Sequence, residues 1–220
     1  MRKHFDIVTF DCYGTLIDWE SGIFNAFQTG IPGAKLERAT LIEAYHQIEP
    51  KLETGEYIPY RDVLDRAAAL VASRLGLEIP KGDQRFLSAS IGSWPPFPDT
   101  NPALLRLATT FQLGILSNVD DDLLRYTLRH LKVIFNPIVT AKQVHSYKPA
   151  HAHFRQARRR TTPKRLLHAA QSYYHDVVPA KRLEIPVVWV NRKGEKAPRT
   201  GPLPDLEVKN LEELADLLGV

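Results

Sequence analysis

The sequence predicts an α/β protein with a doubly wound parallel sheet and an inserted all-helical segment. Two patterns support this prediction. After residue 93, short apolar stretches rich in β-branched residues alternate with helical patterns, which is typical of right-handed βαβ units. Before that region, residues 18–92 show only helical spacing of apolar side chains. We therefore expect an α/β core domain, residues 1–17 and 93–220, and a helical cap domain, residues 18–92.

The predicted elements follow in chain order. The first strand, residues 5–10, combines aromatic and β-branched residues and precedes a polar turn. Helical spacing predicts cap helices at 41–52, 63–75 and 86–91. The proline-dense segment 93–99 is interpreted as the return to the core, because proline forbids helix continuation. The remaining predicted elements are strands at 111–116, 137–140, 166–170 and 187–190, and helices at 103–108, 120–131, 150–160 and 211–218.

Length and composition restrict the class of protein. The 220 residues exceed one typical domain, and 44% hydrophobic with 25% charged residues is typical of a globular chain. The one cysteine, Cys12, excludes an intrachain disulfide, and we expect it to serve in packing in a reducing compartment. No apolar run reaches the ~18 residues of a membrane span, and no signal-peptide pattern follows Met1. We expect a cytoplasmic protein, either a monomer or a homodimer.

The charge pattern favours a small partner. A net charge of +4 is compatible with nucleic acid, an anionic surface or a small anionic substrate. The densest basic run, residues 154–165, is accompanied by neither an aromatic-rich strand nor zinc-ligand spacing, so we interpret it as a solvated helix face followed by a loop. The expected partner is a small anion, with no nucleic-acid and no membrane partner.

Polar clusters follow four of the predicted strands. They are residues 11–15, Ser117-Asn118, the segment leading to Lys148, and residues 171–176. In an open parallel α/β sheet, ligands bind beyond the carboxyl ends of the strands. We therefore expect these four clusters to converge on one crevice.

Asp11 is the best candidate nucleophile. A carboxylate at a strand end can be desolvated and still be held ionised by a nearby cation, which Lys148 would supply if it reaches Asp11. Gly14 permits a tight turn, and Thr15 offers a hydroxyl group. The alternatives are an Asx-turn that only ends the strand and a lysine on the surface.

The other polar positions have both structural and functional interpretations. Ser117 and Asn118 precede a predicted helix, so they either cap it or bind a carboxylate or phosphate together with the exposed helix-terminal N–H groups. Asp176 either caps a helix, holds Lys148 or binds a metal ion with Asp11. Three histidines lack a partner carboxylate at a recognised spacing and are interpreted as surface residues: His145, His151 and His153.

The four clusters together resemble the four motifs of the haloacid dehalogenase (HAD) superfamily, in order and across nearly the whole chain. FDCYGTLIDWE resembles the first motif and contains Asp11, and LSN, which ends at Asn118, resembles the second. YKP with Lys148 resembles the third motif, and the segment ending in Asp176 resembles the fourth. The resemblance implies a hydrolase with a Rossmann-like core, a helical cap and Asp11 as nucleophile.

The residue two positions after Asp11 favours one branch of this superfamily. HAD phosphatases carry a second aspartate there, as acid and base for the leaving alkoxide, whereas this chain has Tyr13. The pattern around Tyr13, SYKP and VWVNRKG resemble the type II L-2-haloacid dehalogenases, whose halide leaving group needs no proton. Tyr13 therefore favours displacement at carbon over phosphoryl transfer.

The chain departs from the dehalogenase pattern at functional positions. It has His46 where a cap arginine would hold the departing halide, Phe154 where those enzymes have a tyrosine, and QSY in place of SSN in the fourth motif. DCYGTLIDWE, WPPFPDT and AQSYYHD are closer to a sibling branch that includes the azetidine-2-carboxylate hydrolase. An amine leaving group benefits from a proton, which Tyr13, His46 or His175 could supply.

The resemblance implies that Asp11 attacks the carbon alpha to a substrate carboxylate and forms an aspartyl ester, which water then hydrolyses. Lys148 would orient Asp11 and Asp176 would support Lys148. Thr15 would bond to Asp11 or to the developing oxyanion. Expected substrate-binding residues are Ser117, Asn118, Tyr13, Trp19, His46 and Ser172.

No cofactor is expected for this chemistry, and three alternatives remain open. They are a ring-opening hydrolase of the azetidine-2-carboxylate type, a magnesium-dependent phosphatase with Asp11 and Asp176 as metal ligands, and a catalytically idle HAD-fold binding protein. Trp19 either forms an apolar wall that excludes water or packs between cap and core.

Overall fold

The computed structural model describes residues 5–220 and contains a six-stranded sheet. The strands are β1 (Ile7–Phe10), β2 (Gln112–Ser117), β3 (Ile138–Thr140), β4 (Leu166–Ala170), β5 (Val187–Val190) and β6 (Leu206–Val208). Neighbouring strands are parallel, in the order β3-β2-β1-β4-β5-β6. This is a doubly wound order, so the predicted α/β fold class is confirmed.

Helices separate the strands along the chain. Five α-helices lie between β1 and β2 in the described residues, and four of these fall within the helical insertion that the sequence predicts: α1 (Trp19–Gly30), α2 (Arg38–Leu52), α3 (Tyr60–Arg74) and α4 (Phe86–Ser90). The others are α5 (Thr100–Leu107), α6 (Asp121–Thr127), α7 (Ala141–Val144), α8 (Ala152–Thr161), α9 (Val178–Arg182) and α10 (Leu211–Leu217). The domain boundaries at residues 18 and 92 stay a prediction. In residues 5–220, no helix combines the length and the apolar character needed to cross a membrane.

The observed elements differ from the predicted ones where the sequence signal is short. β6 is absent from the prediction, because a three-residue edge strand with Glu207 exposed shows neither an apolar run nor a detectable alternation. The first strand begins at Ile7 rather than at residue 5. The helix predicted over residues 120–131 ends as α6 at Thr127, and a 3₁₀ turn continues over residues 128–130.

The apolar stripe predicted for α3 is buried almost as expected. Val63, Leu64, Ala67 and Val71 are buried, whereas Leu70 is 48% exposed. At 100° per residue, Leu70 lies at the margin of the stripe that the other four define, so its side chain reaches solvent. The helical period thus identifies the buried face but not its edges.

A buried aspartate connects the sheet edge to α3. Asp120 is buried, and its carboxylate accepts hydrogen bonds from Tyr60 N at 3.2 Å and Arg61 N at 3.0 Å. These two N–H groups belong to the first turn of α3, where a carboxylate satisfies donors that the helix leaves free. Asp120, which precedes α6, thus ties the start of α3 to the segment that follows β2.

Asp120→Ala should therefore loosen the attachment of α3. We expect the free energy of unfolding to fall by about 2 kcal/mol, the upper end for loss of a helix cap, because the carboxylate is buried. Asp122→Ala is the matched control: it removes an exposed ion pair with Arg61 and should cost less than about 1 kcal/mol. Urea unfolding measures both variants, and equal losses would contradict a special role for Asp120.

Candidate active site

The four polar clusters meet at the point where the strand order reverses. β1 and β4 are neighbours there, and the segments that follow them along the chain lead in opposite directions across the sheet. A cavity of about 410 Å³ opens at this edge, and Asp11, Ser117, Lys148 and Asp176 all line it. The structure thus brings together one residue from each of the four predicted clusters.

Lys148 is buried between two carboxylates. Its Nζ donates to Asp11 Oδ1 at 2.8 Å, to Asp176 Oδ1 at 2.7 Å and to the carbonyl oxygen of Leu116 at 2.9 Å. An ammonium group has three hydrogens, so all of its donors are used. In such a dry position the pairing orients Asp11 far more strongly than a surface ion pair would.

The pKa shifts in this cluster reflect burial and the shared cation. Burial raises the pKa of Asp11 above its ordinary value, against the opposing effect of Lys148. Burial acts in the same sense on Asp176, but Lys148 and His168 outweigh it and lower the pKa of Asp176 to about 2. Burial alone would lower the pKa of Lys148, and the two carboxylates reverse this effect and raise it. Lys148 is therefore cationic at neutral pH.

The second oxygen of Asp11 is held by Thr15. Thr15 Oγ1 donates to Asp11 Oδ2 at 2.8 Å and accepts from Gln171 N at 2.9 Å. The turn that brings Thr15 back to Asp11 passes through Gly14, whose φ of +99° strains any residue with a side chain. Both carboxylate oxygens of Asp11 are thus fixed by hydrogen bonds.

Asp176 has a second partner that the sequence prediction missed. His168 Nε2 lies 3.0 Å from Asp176 Oδ1, and His168 Nδ1 lies 3.0 Å from Thr9 Oγ1. Both His168 and Thr9 are buried on adjacent strands, β4 and β1. A histidine and a threonine paired in register inside otherwise apolar strands are a signal that could have identified this support.

The same geometry tests the magnesium alternative. Asp11 and Asp176, its expected ligands, both direct Oδ1 at the ammonium of Lys148, and Tyr13 Oη bonds to Thr127 Oγ1 at 2.8 Å. Within residues 5–220, no group of three His, Cys, Asp or Glu side chains could hold a metal ion. The residues present fit an ammonium between the two carboxylates and do not fit Mg²⁺.

Ser117 and Asn118 differ in what they offer to a ligand. Ser117 Oγ lines the cavity, is buried, and has no hydrogen-bond partner in the described part of the chain. The side chain of Asn118 is already engaged: Oδ1 accepts from Lys148 N at 2.7 Å, and Nδ2 donates to Lys148 O and to Glu53 Oε2, each at 3.1 Å. The Ser117 hydroxyl thus has unused hydrogen-bonding capacity, whereas the Asn118 side chain is bonded to the backbone of Lys148.

One of the three histidines predicted to be on the surface is buried, so that prediction is wrong for His153. Its Nε2 lies 3.1 Å from the carbonyl oxygen of Ser117, and burial, assisted by Lys148, lowers its pKa to about 3. The arginines that follow His153 in sequence are typical of a solvated helix face. Only one face of α8 is solvated, and Arg155 and Arg158–Arg160 are exposed there as predicted.

The upper wall of the cavity contains the expected aromatic residues. Trp19 lines it and packs against His46, with ring centroids 4.9 Å apart. The ring of Tyr13 also lines it and meets Trp94 edge to face at 5.7 Å. Burial raises the pKa of Tyr13, and its hydroxyl is bonded to Thr127. Tyr13 therefore offers an apolar ring rather than a proton.

Ser172 and His175 also line the cavity. Ser172 Oγ and His175 Nδ1 are 3.0 Å apart, and Ser172 Oγ also accepts from His175 N at 3.1 Å. Burial lowers the pKa of His175 to about 4, so its imidazole is neutral near pH 7. His175 consequently has no extra proton to give to a leaving group at that pH.

Three acidic residues that line the cavity were not predicted: Glu49, Glu53 and Glu195. Glu49 and Glu53 line the cavity from the end of α2, four residues apart and on the helix face that carries His46. Glu49 Oε1 accepts from Tyr60 Oη at 3.1 Å, and Glu53 Oε2 accepts from Asn118 Nδ2. Their spacing from His46 is the sequence signal that could have identified them.

The comparisons with known proteins agree with this architecture. Residues 5–169 match the family of haloacid dehalogenase-like hydrolases. The chain therefore belongs to this family and is a hydrolase.

Its relatives extend over the whole chain. The (S)-2-haloacid dehalogenase H-109 of Pseudomonas putida is 28% identical, with 96% of each chain covered. The haloacetate dehalogenase H-2 of Moraxella sp. (strain B) is 24% identical over 99% of this chain and 100% of that one. Among solved structures, the L-2-haloacid dehalogenase from Xanthobacter autotrophicus with chloropropionic acid covalently bound has a TM-score of 0.83 at 22% identity, with 97% of this chain and 98% of that one covered. This last likeness shows the fold.

Proposed function

We propose that Asp11 displaces a leaving group from the alpha carbon of a small 2-substituted carboxylic acid, as in the 2-haloacid dehalogenases. The observation that carries this proposal is the set of contacts made by Asp11: Lys148 and Thr15 each donate a hydrogen bond to one of its carboxylate oxygens. The same cavity is lined by Ser117, whose Oγ has no hydrogen-bond partner in the described residues. A fixed, paired carboxylate beside a free hydroxyl donor is suited to nucleophilic attack on a bound carboxylic acid.

The first step binds and orients the acid. Ser117 Oγ donates to the substrate carboxylate, which places the alpha carbon in front of Asp11. A carboxylate oxygen of Asp11 then forms a bond to that carbon, and the leaving group departs with the electron pair. Binding in a fixed orientation replaces a random encounter of the Asp11 carboxylate with the anionic substrate. In well-aligned systems, orientation of this kind lowers the activation barrier by about 7–11 kcal/mol.

The second step returns Asp11. Water attacks the carbonyl carbon of the aspartyl ester, and the oxyanion develops on the Asp11 oxygen that did not form the ester. Lys148 Nζ already donates to Oδ1 and Thr15 Oγ1 to Oδ2, so that oxygen has a donor in place. Collapse of this intermediate releases the 2-hydroxy acid and a proton. Asp176, with His168 behind it, keeps Lys148 in place throughout.

The names of the relatives support this proposal. Two of them are dehalogenases of 2-haloacids or haloacetate, and the Xanthobacter autotrophicus structure carries chloropropionic acid in covalent linkage. Tyr13 in place of a second aspartate supports displacement at carbon over phosphoryl transfer. We extend the proposal to a small carboxylate as the partner and to residues 18–92 as the cap over it. The buried, unpaired Cys12 supports a reducing, cytoplasmic location.

Oxygen labelling tests the two-step route. With enzyme in excess over (S)-2-bromopropanoate in H₂¹⁸O, a single turnover should place ¹⁸O in Asp11 and leave the hydroxyl of the product unlabelled, because water attacks the ester carbonyl. Peptide mass spectrometry locates the label, and enzyme kept in H₂¹⁸O without substrate is the control. Label in the product hydroxyl would indicate direct attack by water. Absence of both label and product with every 2-substituted acid would refute the proposal.

A further inference from the structure

Two carboxyl groups at the end of α2 line the cavity without an ion-pair partner. Glu49 and Glu53 are partly buried, and each accepts one hydrogen bond from a neutral donor, Tyr60 Oη or Asn118 Nδ2. Within residues 5–220, no ion pair reaches either group. Carboxylates are uncommon in such a position, because desolvation of the charged form is costly unless a cation pairs with it.

The charge of the cavity makes ionised groups on α2 a poor match for an anionic substrate. Asp11 and Asp176 share the single charge of Lys148, so this cluster carries one net negative charge when both carboxylates are ionised. The other lysines of the cavity wall, Lys193 and Lys196, are exposed. Two further carboxylates would repel a bound acid, whereas a protonated carboxyl group adds no charge and supplies an O–H donor.

The surroundings keep protons on the two carboxyl groups of α2. Burial raises the pKa of Glu49 to about 7. Burial and the neighbouring Glu49 together raise the pKa of Glu53 well above its ordinary value. Both groups also lie at the carboxyl end of α2, where the helix dipole disfavours negative charge. Glu53 thus keeps its proton at a pH where an ordinary glutamate is ionised.

The hydrogen bonds of Asn118 determine which oxygen of Glu53 carries that proton. Lys148 N can only donate, so Asn118 Oδ1 accepts from it, at 2.7 Å, and the orientation of the amide is fixed. Asn118 Nδ2 then donates to Lys148 O and to Glu53 Oε2, each at 3.1 Å. The stronger acceptor of a carboxylic acid is its carbonyl oxygen, which is therefore Oε2. The hydrogen is on Oε1, which has no hydrogen-bond partner in the described residues.

We propose that Glu53 is a substrate-binding residue that donates its Oε1–H to the carboxylate of the bound acid, beside the donor of Ser117. This inference rests on the small carboxylic acid of the proposed function and names a further group that recognises it. The buried, unpartnered Ser117 Oγ is the independent sign of a hydrogen-bonding ligand in this cavity. Asn118, which holds Glu53, follows Ser117 directly, so the two donors come from neighbouring positions of the cavity wall.

The proton of Glu53 determines both the strength and the pH range of this contact. A hydrogen bond from a carboxylic acid to a carboxylate is charge-assisted, and such bonds are roughly twice as strong as those between neutral groups. Once Glu53 ionises, it has no hydrogen to donate and adds a second carboxylate beside that of the ligand. Binding therefore requires the protonated form, and above the pKa of Glu53 the apparent Kd of a small acid should rise about tenfold per pH unit.

Other groups around Glu53 also respond to pH, and an experiment has to separate them. A protonated His46 at the cavity would lose its positive charge as pH rises, which also weakens the binding of an anion. The titratable or charged groups that face the two carboxyl groups of α2 are Tyr45 and His46 on the same helix, Tyr60 on α3, and Asp11, Tyr147 and Lys148 from the core.

Glu53→Gln separates these cases, because glutamine keeps the shape, can accept from Asn118 and donate to a carboxylate, and does not titrate. The probe is propanoate, a carboxylate without a leaving group, and the fluorescence of the tryptophans that line the cavity reports its binding. In the wild type, the Kd should rise about tenfold or more from about pH 6 to about pH 9. In Glu53→Gln it should change less than about threefold, so this variant should bind propanoate more tightly than the wild type at the higher pH.

Three controls define the origin of the effect. Glu49→Gln should keep the rise in Kd and move it to lower pH, because the charge of Glu49 is one cause of the raised pKa of Glu53. Glu43→Gln removes an exposed carboxylate from the same helix and should reproduce the wild-type profile. Propanamide, which is uncharged, should bind the wild type without this dependence on pH. Circular dichroism at 222 nm confirms that all variants are folded.

The outcomes separate the carboxylate contact from the chemistry of Asp11. A rise in Kd that persists in Glu53→Gln would assign it to another group, such as His46, and overturn the inference. A wild-type Kd that does not depend on pH would overturn it too, as would failure of propanoate to bind. Adduct formation on Asp11 with (S)-2-bromopropanoate is measured separately. Its absence in enzyme that binds propanoate with the expected profile would refute the proposed function and still support Glu53 as a carboxylate-binding residue.

Discussion

Asp11→Asn is expected to lower kcat by about 10⁵-fold, as removal of a catalytic nucleophile does in other hydrolases. The amide cannot form the ester, although it can still accept a hydrogen bond from Lys148. The measurement is turnover of (S)-2-bromopropanoate and azetidine-2-carboxylate, together with the intact mass of the enzyme after incubation. Residual activity above about 1% of wild type, without deamidation of the introduced asparagine back to aspartate, would refute Asp11 as nucleophile.

The same substitution should not destabilise the protein. In the wild type, two buried carboxylates share one cation, and burial holds the pKa of Asp11 above its ordinary value. A carboxyl group with a raised pKa in the folded state opposes folding once it ionises, so its charge costs stability at pH 7. We expect Asp11→Asn to raise the free energy of unfolding by about 1 kcal/mol at that pH, the usual scale of stabilising changes at functional sites. A loss of stability would contradict this electrostatic description.

Lys148→Met is expected to have the largest effect on stability. It leaves Asp11 and Asp176 buried without their cation, which should cost about 3–5 kcal/mol at pH 7. Activity should be lost as well, because Oδ1 of Asp11 would lose the charged donor that orients it. Urea unfolding and single-turnover labelling of Asp11 measure the two effects. Lys142→Met, at an exposed position of α7, is the control and should change stability by less than about 0.5 kcal/mol.

The loss in Lys148→Met should depend on pH in a defined direction. In the wild type, Asp176 has a pKa of about 2 when folded, below its ordinary value of 3.8. Its ionised form therefore contributes stability above about pH 3.8, and this contribution disappears as pH falls towards 2. Without Lys148 that contribution is lost, and protonation relieves the two buried carboxylates. The difference in unfolding free energy between wild type and variant should shrink from pH 7 to pH 4, and a constant difference would contradict the shared-cation description.

The central cluster could be predicted because it depends on strand ends. Asp11, Ser117 and Asp176 follow or end strands that their own residues identify, and parallel strands present their carboxyl ends to one edge. Lys148 follows β3 only after α7, so its contact with Asp11 needed both the sheet order and the resemblance to a known motif. Contacts that follow from topology are thus accessible to sequence reasoning.

The residues that were missed depend on packing between distant segments. His153 has arginines along its helix, and only the contact of α8 with the end of β2 buries it. Glu49 and Glu53 resemble a solvated helix face until α2 is placed over the cavity. His168 is a polar residue within an apolar strand, and its role follows only from its contact with Asp176. Polarity and spacing mark some of these residues in the sequence, but only the packing of distant segments shows which groups they contact.

The division of the cavity between sheet edge and α2 has an evolutionary consequence. The residues proposed to form and hydrolyse the ester lie along the carboxyl edge of the sheet, whereas His46, Glu49 and Glu53 all belong to the last two turns of α2 or to the residue that follows it. A lineage could exchange one small acid for another through a few codon changes in this short stretch while inheriting the ester chemistry intact. Grafting residues 45–53 between members of the family is, for the same reason, a compact way to redirect substrate preference in the laboratory.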